Sequence, residues 1–122
     1  MIAGTFDFVV EEGAVFDESI VWYDSDDALV DLTGYSAEME IRKNWNDSTA
    51  LATLTSASGI TLGGVAGTIR LRMTSAVTRA LDFDRAVYDL ELSPSGAADM
   101  NASTDCIRLL EGVIVLDREV TR

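Results

Sequence analysis

The sequence predicts an all-β fold, an antiparallel two-sheet β-sandwich of about eight short strands with one short helix, and three observations lead there. Apolar and polar residues alternate at period two in segment after segment, glycine-rich turns separate those segments, and only one stretch shows helical spacing. A small β-barrel satisfies the same pattern and stands as the alternative. The 122 residues, 48% of them hydrophobic, suffice for a single sandwich domain over 1–122 with a real core, and they are too apolar for a disordered chain.

Phe6, Phe8 and Val10 alternate with Asp7 and Glu11, and past Gly13 the residues Phe16, Glu18, Ile20 and Trp22 share one face of a second strand. A polar turn at Asp24-Ser25-Asp26-Asp27 leads to Leu29-Val30-Asp31-Leu32 and a stop at Gly34. The cleanest strand follows, with Tyr35, Ala37, Met39 and Ile41 on the core side and Ser36, Glu38, Glu40 and Arg42 on the solvent side. After the polar loop from Asn44 to Thr49, Leu51 and Leu54 open a second cycle. Ile60-Thr61-Leu62 then turns over Gly63-Gly64 and returns through Gly67 to Met73, a hairpin. Its return strand points Ile69, Leu71 and Met73 inward and Arg70 and Arg72 outward, where they would face Glu38 and Glu40 if the strands are neighbours.

Thr74 or Ser75 can cap a short helix on which Val77, Ala80 and Leu81 recur at helical spacing. Val87 to Leu92 forms a further strand with Tyr88, Leu90 and Leu92 on one face, ending at Pro94-Ser95-Gly96. A polar loop from Ala97 to Asp105 precedes a strand at Cys106 to Leu110 and another from Gly112 to Leu116. The last of these is apolar on both faces. Such a strand is either central in its sheet or covered by another subunit, and a domain this small has few elements to cover both sides, so Val113, Ile114, Val115 and Leu116 are candidate interface residues.

Twenty-one acids against nine bases give a net charge of −12, and Lys43 is the one lysine. Nothing here neutralises phosphates, so no nucleic-acid or membrane partner is expected. No apolar run reaches the length of a membrane span, and no secretion signal is expected, since the first residues lack a basic start and an apolar stretch. The single cysteine, Cys106, sits in an apolar strand pattern and reads as a buried small residue. With no histidine, imidazole-based triads and most zinc or copper sites are excluded, and carboxylate chemistry is what remains.

Alternate acids at Asp24, Asp26, Asp27 and Asp31 could ligate calcium, but the loop lacks the glycine and closing glutamate of an EF-hand and reads better as a solvated turn. Asp82 with Asp84, or Glu11 with Glu12, are paired carboxylates, yet sequence neighbours do not face each other across a cleft as a glycosidase needs. Gly63-Gly64 with Gly67 is a hairpin turn, not a phosphate loop, because neither helix nor lysine follows. The triplets Asn46-Asp47-Ser48 and Asn101-Ala102-Ser103 match the glycosylation pattern, which arises often by chance. Trp22, Tyr35 and Tyr88 fall on core phases, leaving Tyr23 and Trp45 as candidate surface aromatics for a partner or, in a carbohydrate-binding reading, a sugar. No catalytic residue, metal, cofactor or small-molecule substrate is expected.

The order of landmarks adds a resemblance. Val21-Trp22-Tyr23, the run DLTGYSAEMEIR over 31–42, Gly59-Ile60-Thr61-Leu62 with Gly67 to Leu71, the strand VYDLEL over 87–92, Leu109 to Val115 and Glu119-Val120-Thr121 together resemble small tailed-bacteriophage and prophage virion proteins, similar to the N-terminal domain of phage baseplate upper proteins. The resemblance implies a β-sandwich without catalytic activity that assembles into rings or trimers. It implies a virion location, after assembly in the bacterial host cytoplasm, and contacts with itself and with other virion proteins as a tail or baseplate adaptor or, alternatively, a capsid decoration protein. The acidic surface and the doubly apolar final strand are compatible with that role, and Met1 to Thr5 and Thr121-Arg122 are expected to need a neighbour to hold them.

Overall fold

Strict alternation builds the larger of two sheets. In the computed structural model, which describes residues 4–96 and 104–118, there are nine strands: β1 (Gly4–Thr5), β2 (Phe8–Glu11), β3 (Phe16–Val21), β4 (Ser36–Arg42), β5 (Ala52–Thr55), β6 (Ile60–Leu62), β7 (Thr68–Met73), β8 (Arg85–Ser93) and β9 (Ile107–Asp117). One short helix, α1 (Ser75–Arg79), and a single 3-10 turn at Gly64–Ala66 complete the elements of the described residues. The six-stranded sheet runs β1-β9-β8-β4-β5, with β2 also on β9, and the three-stranded sheet runs β3-β7-β6. Neither sheet closes, so the fold is an all-β sandwich and not a barrel.

One cluster of buried side chains joins the sheets. Met39 and Ile41 of β4, Tyr88, Leu90 and Leu92 of β8, and Ile114 and Leu116 of β9 meet Ile69, Leu71 and Met73 of β7. Each Leu or Ile buried in this way contributes roughly 1.5–3 kcal/mol against leaving it in water. The hairpin β6–β7 turns as the glycines require, since Gly67 holds φ 65° and its carbonyl accepts from Trp22 N–H at 2.9 Å, close to where a side chain would meet Trp22 and Val30 carbonyls.

Several expectations are corrected. Two strands foreseen at 106–110 and 112–116 are one eleven-residue strand, β9, with an irregularity in its register against β8 at Leu90/Glu91. The sheet is mixed: β1 and β2 pair parallel to β9, Gly4 against Leu110 and Phe8 against Ile114. Parallel neighbours need a long crossover, and here most of the chain supplies it, which no local pattern announces. Gly4 and Thr5, expected to need a neighbour, therefore find a strand partner within the chain itself.

Between β1 and β2 the chain jogs inward over Gly112. A Cβ on Gly112 would lie 2.1 Å from Phe6 O, and that same carbonyl accepts from the buried Tyr88 hydroxyl at 2.6 Å. Asp7 closes the gap by accepting from Val113 N–H at 3.0 Å.

Arg70 and Arg72 do not face Glu38 and Glu40, because β7 and β4 belong to different sheets. Thr74 caps α1 as expected, accepting from Val77 N–H at 3.3 Å, but the helix buries Thr78 and leaves Val77 exposed. Thr78 Oγ1 accepts from Gly13 N–H at 3.1 Å and donates to Ala14 O at 2.8 Å, tying α1 to the β2–β3 turn. The Asn101-Ala102-Ser103 triplet, most of the 97–105 loop, Met1, Glu119 to Thr121 and Arg122 lie outside the described residues.

Candidate interaction surface

The four candidate residues of β9 divide by strand phase. Ile114 and Leu116 point into the sandwich and are core residues, so they offer no surface for a partner. Val113 and Val115 point outward, Val113 half-buried and Val115 42% exposed. β9 is thus apolar on both faces because it is central, between β2 and β8, while its outer face still carries valines toward solvent.

Register extends that outer face across three strands. Val9 of β2 stands opposite Val115, and Val87 of β8 stands opposite Val113. Val9 is 64% exposed, and among the described residues β2 has β9 as its strand partner and its other edge is open. The result is a valine patch at an open sheet edge, with exposed Phe6 beside it in the chain at the jog between β1 and β2. Val9 and Val87 were missed in the sequence because their own strands read as half-polar. Only the pairing with β9 assembles the patch.

Next to the valines the outer face turns acidic. Glu40 of β4 and Glu111 of β9 both stand directly opposite Asp89 of β8, and Glu38 stands opposite Glu91. Like charges facing each other across strands are destabilising, and arginines offset part of the repulsion. Arg108 approaches Asp89 at 3.5 Å and Glu111 at 3.9 Å, and Arg42 pairs with Glu40. Burial, then the Glu91 charge, push the Asp89 carboxyl up to about 6, against the pull of Arg108. Cys106 lies at the same place, its thiol donating to Glu91 Oε2 at 2.9 Å. Burial first, and that bond second, push the thiol up to about 12, so it carries almost no thiolate near neutral pH.

Tyr23 and Trp45 are both exposed, 55% and 54%, but they do not form one platform. Tyr23 bridges Leu29 in the loop leading to the start of β4, whereas Trp45 follows the end of β4 and lines a shallow pocket with Glu40, Arg42, Asp89 and Arg108. A strand of seven residues separates the two ends, roughly 20 Å.

The other acidic pairs serve the chain locally. Asp24 Oδ1 accepts from Asp26 and Ala28 N–H at 2.8 and 3.0 Å, and Asp31 Oδ1 accepts from Thr33 Oγ1 and N–H at 2.6 and 3.0 Å. The Thr33 hydroxyl, and then its N–H, hold the Asp31 carboxyl below its ordinary value. Among the described residues no three His, Cys, Asp or Glu side chains converge as a metal site. Asp82, Asp84 and Glu12 do converge, but on Arg118, at 3.6, 3.2 and 3.3 Å.

No protein-family model matches the chain, and no curated protein matches it by sequence.

Proposed function

We propose that this chain is a structural protein that works through protein–protein contact, an oligomeric adaptor or connector in the tail or baseplate of a tailed-bacteriophage virion. The observation that carries the reading is the outward valine patch of Val9, Val87, Val113 and Val115 at the open edge beside β2. Apolar surface at a sheet edge gains about 25 cal/mol for each Å² it hides from water, and a strand edge adds unpaired backbone groups that a neighbour can satisfy. Repeated over many copies in a symmetric particle, modest contacts of this kind suffice. The run of landmarks from Val21 to Val115 resembles baseplate upper proteins, which points the contact toward virion assembly. The net charge of −12 keeps packaged DNA at a distance.

The reading is tested by mass spectrometry of purified particles and by co-expression with the products of neighbouring genes. Recovery in particles, together with co-purification with a tail or baseplate protein, supports the adaptor. Co-purification with a capsid protein instead moves it to head decoration. Absence from particles, with no partner retained, refutes it.

A further inference from the structure

A pocket of about 290 Å³ opens where β5, the hairpin β6–β7 and α1 meet, just below the ~300–1,000 Å³ range of drug-sized ligand sites. Its wall is apolar where Leu54, Met73 and Val77 line it, and elsewhere it carries hydroxyl donors such as Thr61 and Thr74 with the β7 arginines. None of its lining residues is acidic, in a chain with twenty-one acids. The Thr74 Oγ1 already accepts from Val77 N–H, which leaves its O–H to donate.

The two arginines differ in occupation. Asp17 faces Arg72 in the register of β3 and β7, yet its carboxylate takes the fork of Arg70 instead, at 2.9 and 2.5 Å. Arg72 has no hydrogen-bonded or ion-paired carboxylate among the described residues. A planar guanidinium with free donors, flanked by hydroxyls and backed by an apolar wall, is complementary to a carboxylate at the end of a short methylene stem. We propose that this pocket binds such a carboxylate, presented as an acidic side chain by a partner polypeptide. The valine patch lies on the outer face of the other sheet, so this site takes a contact separate from that one.

The test is a 1H–15N NMR titration of the whole chain with acetylated, amidated glutamate, whose one charge is the side chain. Blocked glutamine and sodium chloride at matched ionic strength serve as controls, and acetate reports a free carboxylate. Saturable shifts confined to Gly59, Thr61 and Thr74 amides are expected with blocked glutamate and not with glutamine. Arg72→Gln is expected to weaken them at least about tenfold, the factor that loss of one charge-assisted pair gives, while Arg85→Gln on β8 leaves them intact. Shifts that follow chloride alone, that glutamine reproduces, or that survive Arg72→Gln overturn the proposal. Acetate binding as well as blocked glutamate overturns the assignment to a peptide side chain.

Discussion

Replacing Asp89 with asparagine should stabilise the protein near neutral pH and flatten its pH dependence in mild acid. Asp89 stands between Glu40 and Glu111, with Glu91 on its own strand, and its carboxyl is raised from 3.8 to about 6, first by burial and then by Glu91. The folded pKa lies above the unfolded one, so the folded chain holds this proton more tightly. The resulting stability is complete below about 4 and is lost as pH rises through about 6. A shift of about two units corresponds to at most ~3 kcal/mol at 1.36 kcal/mol per unit. With the pull of Arg108 already included in that shift, solvent screening of a side chain 22% exposed reduces the realised value to roughly 1–2 kcal/mol. Urea denaturation near pH 7.5 should therefore show Asp89→Asn more stable than the parent by that amount, with the gap shrinking to nearly nothing near pH 4. A variant less stable at neutral pH, or a parent whose stability does not fall between pH 4 and 6 relative to the variant, would refute the reasoning.

Three other perturbations have defined outcomes. Tyr88→Phe removes the hydroxyl that donates to Phe6 O at 2.6 Å and should cost about 1 kcal/mol in denaturant midpoint, with faster amide exchange in β1 and β2. Gly112→Ala places a methyl against Phe6 O and should destabilise by roughly 1–3 kcal/mol, visible as a lower Tm and loss of NMR cross-peaks linking β1 to β9. Thr78→Val keeps the shape of α1 but strands Gly13 N–H and Ala14 O, costing roughly 1–3 kcal/mol, whereas Thr78→Ser should recover most of it.

Local patterns carried most of the strands. β4, β7 and β8 follow period two because each has one buried face, and the Gly63-Gly64 turn with Gly67 named its hairpin in advance. Apart from the division of β9 into two strands, the errors involve partners distant in sequence. The parallel seat of β1 and β2 on β9, the choice of Asp17 over Glu38 or Glu40 by Arg70, and the burial of Thr78 in place of Val77 depend on residues more than fifty positions away. The same holds for the candidate surface. Val113 and Val115 were legible in β9, but Ile114 and Leu116 were wrongly grouped with them, since a run apolar on both faces does not say which face meets the second sheet. Tyr23 and Trp45 were rightly placed outside the core, and only the topology shows them at opposite ends of β4.

The claim on which the rest depends is that the outward valines are hidden by assembly. Sedimentation of the parent and of Val115→Lys and Val9→Lys, whose exposed positions leave the core intact, addresses it directly. Concentration-dependent association of the parent, lost in both variants while their Tm stays unchanged, is the expected result. A parent that stays monomeric at every concentration, or variants that associate as the parent does, would contradict it.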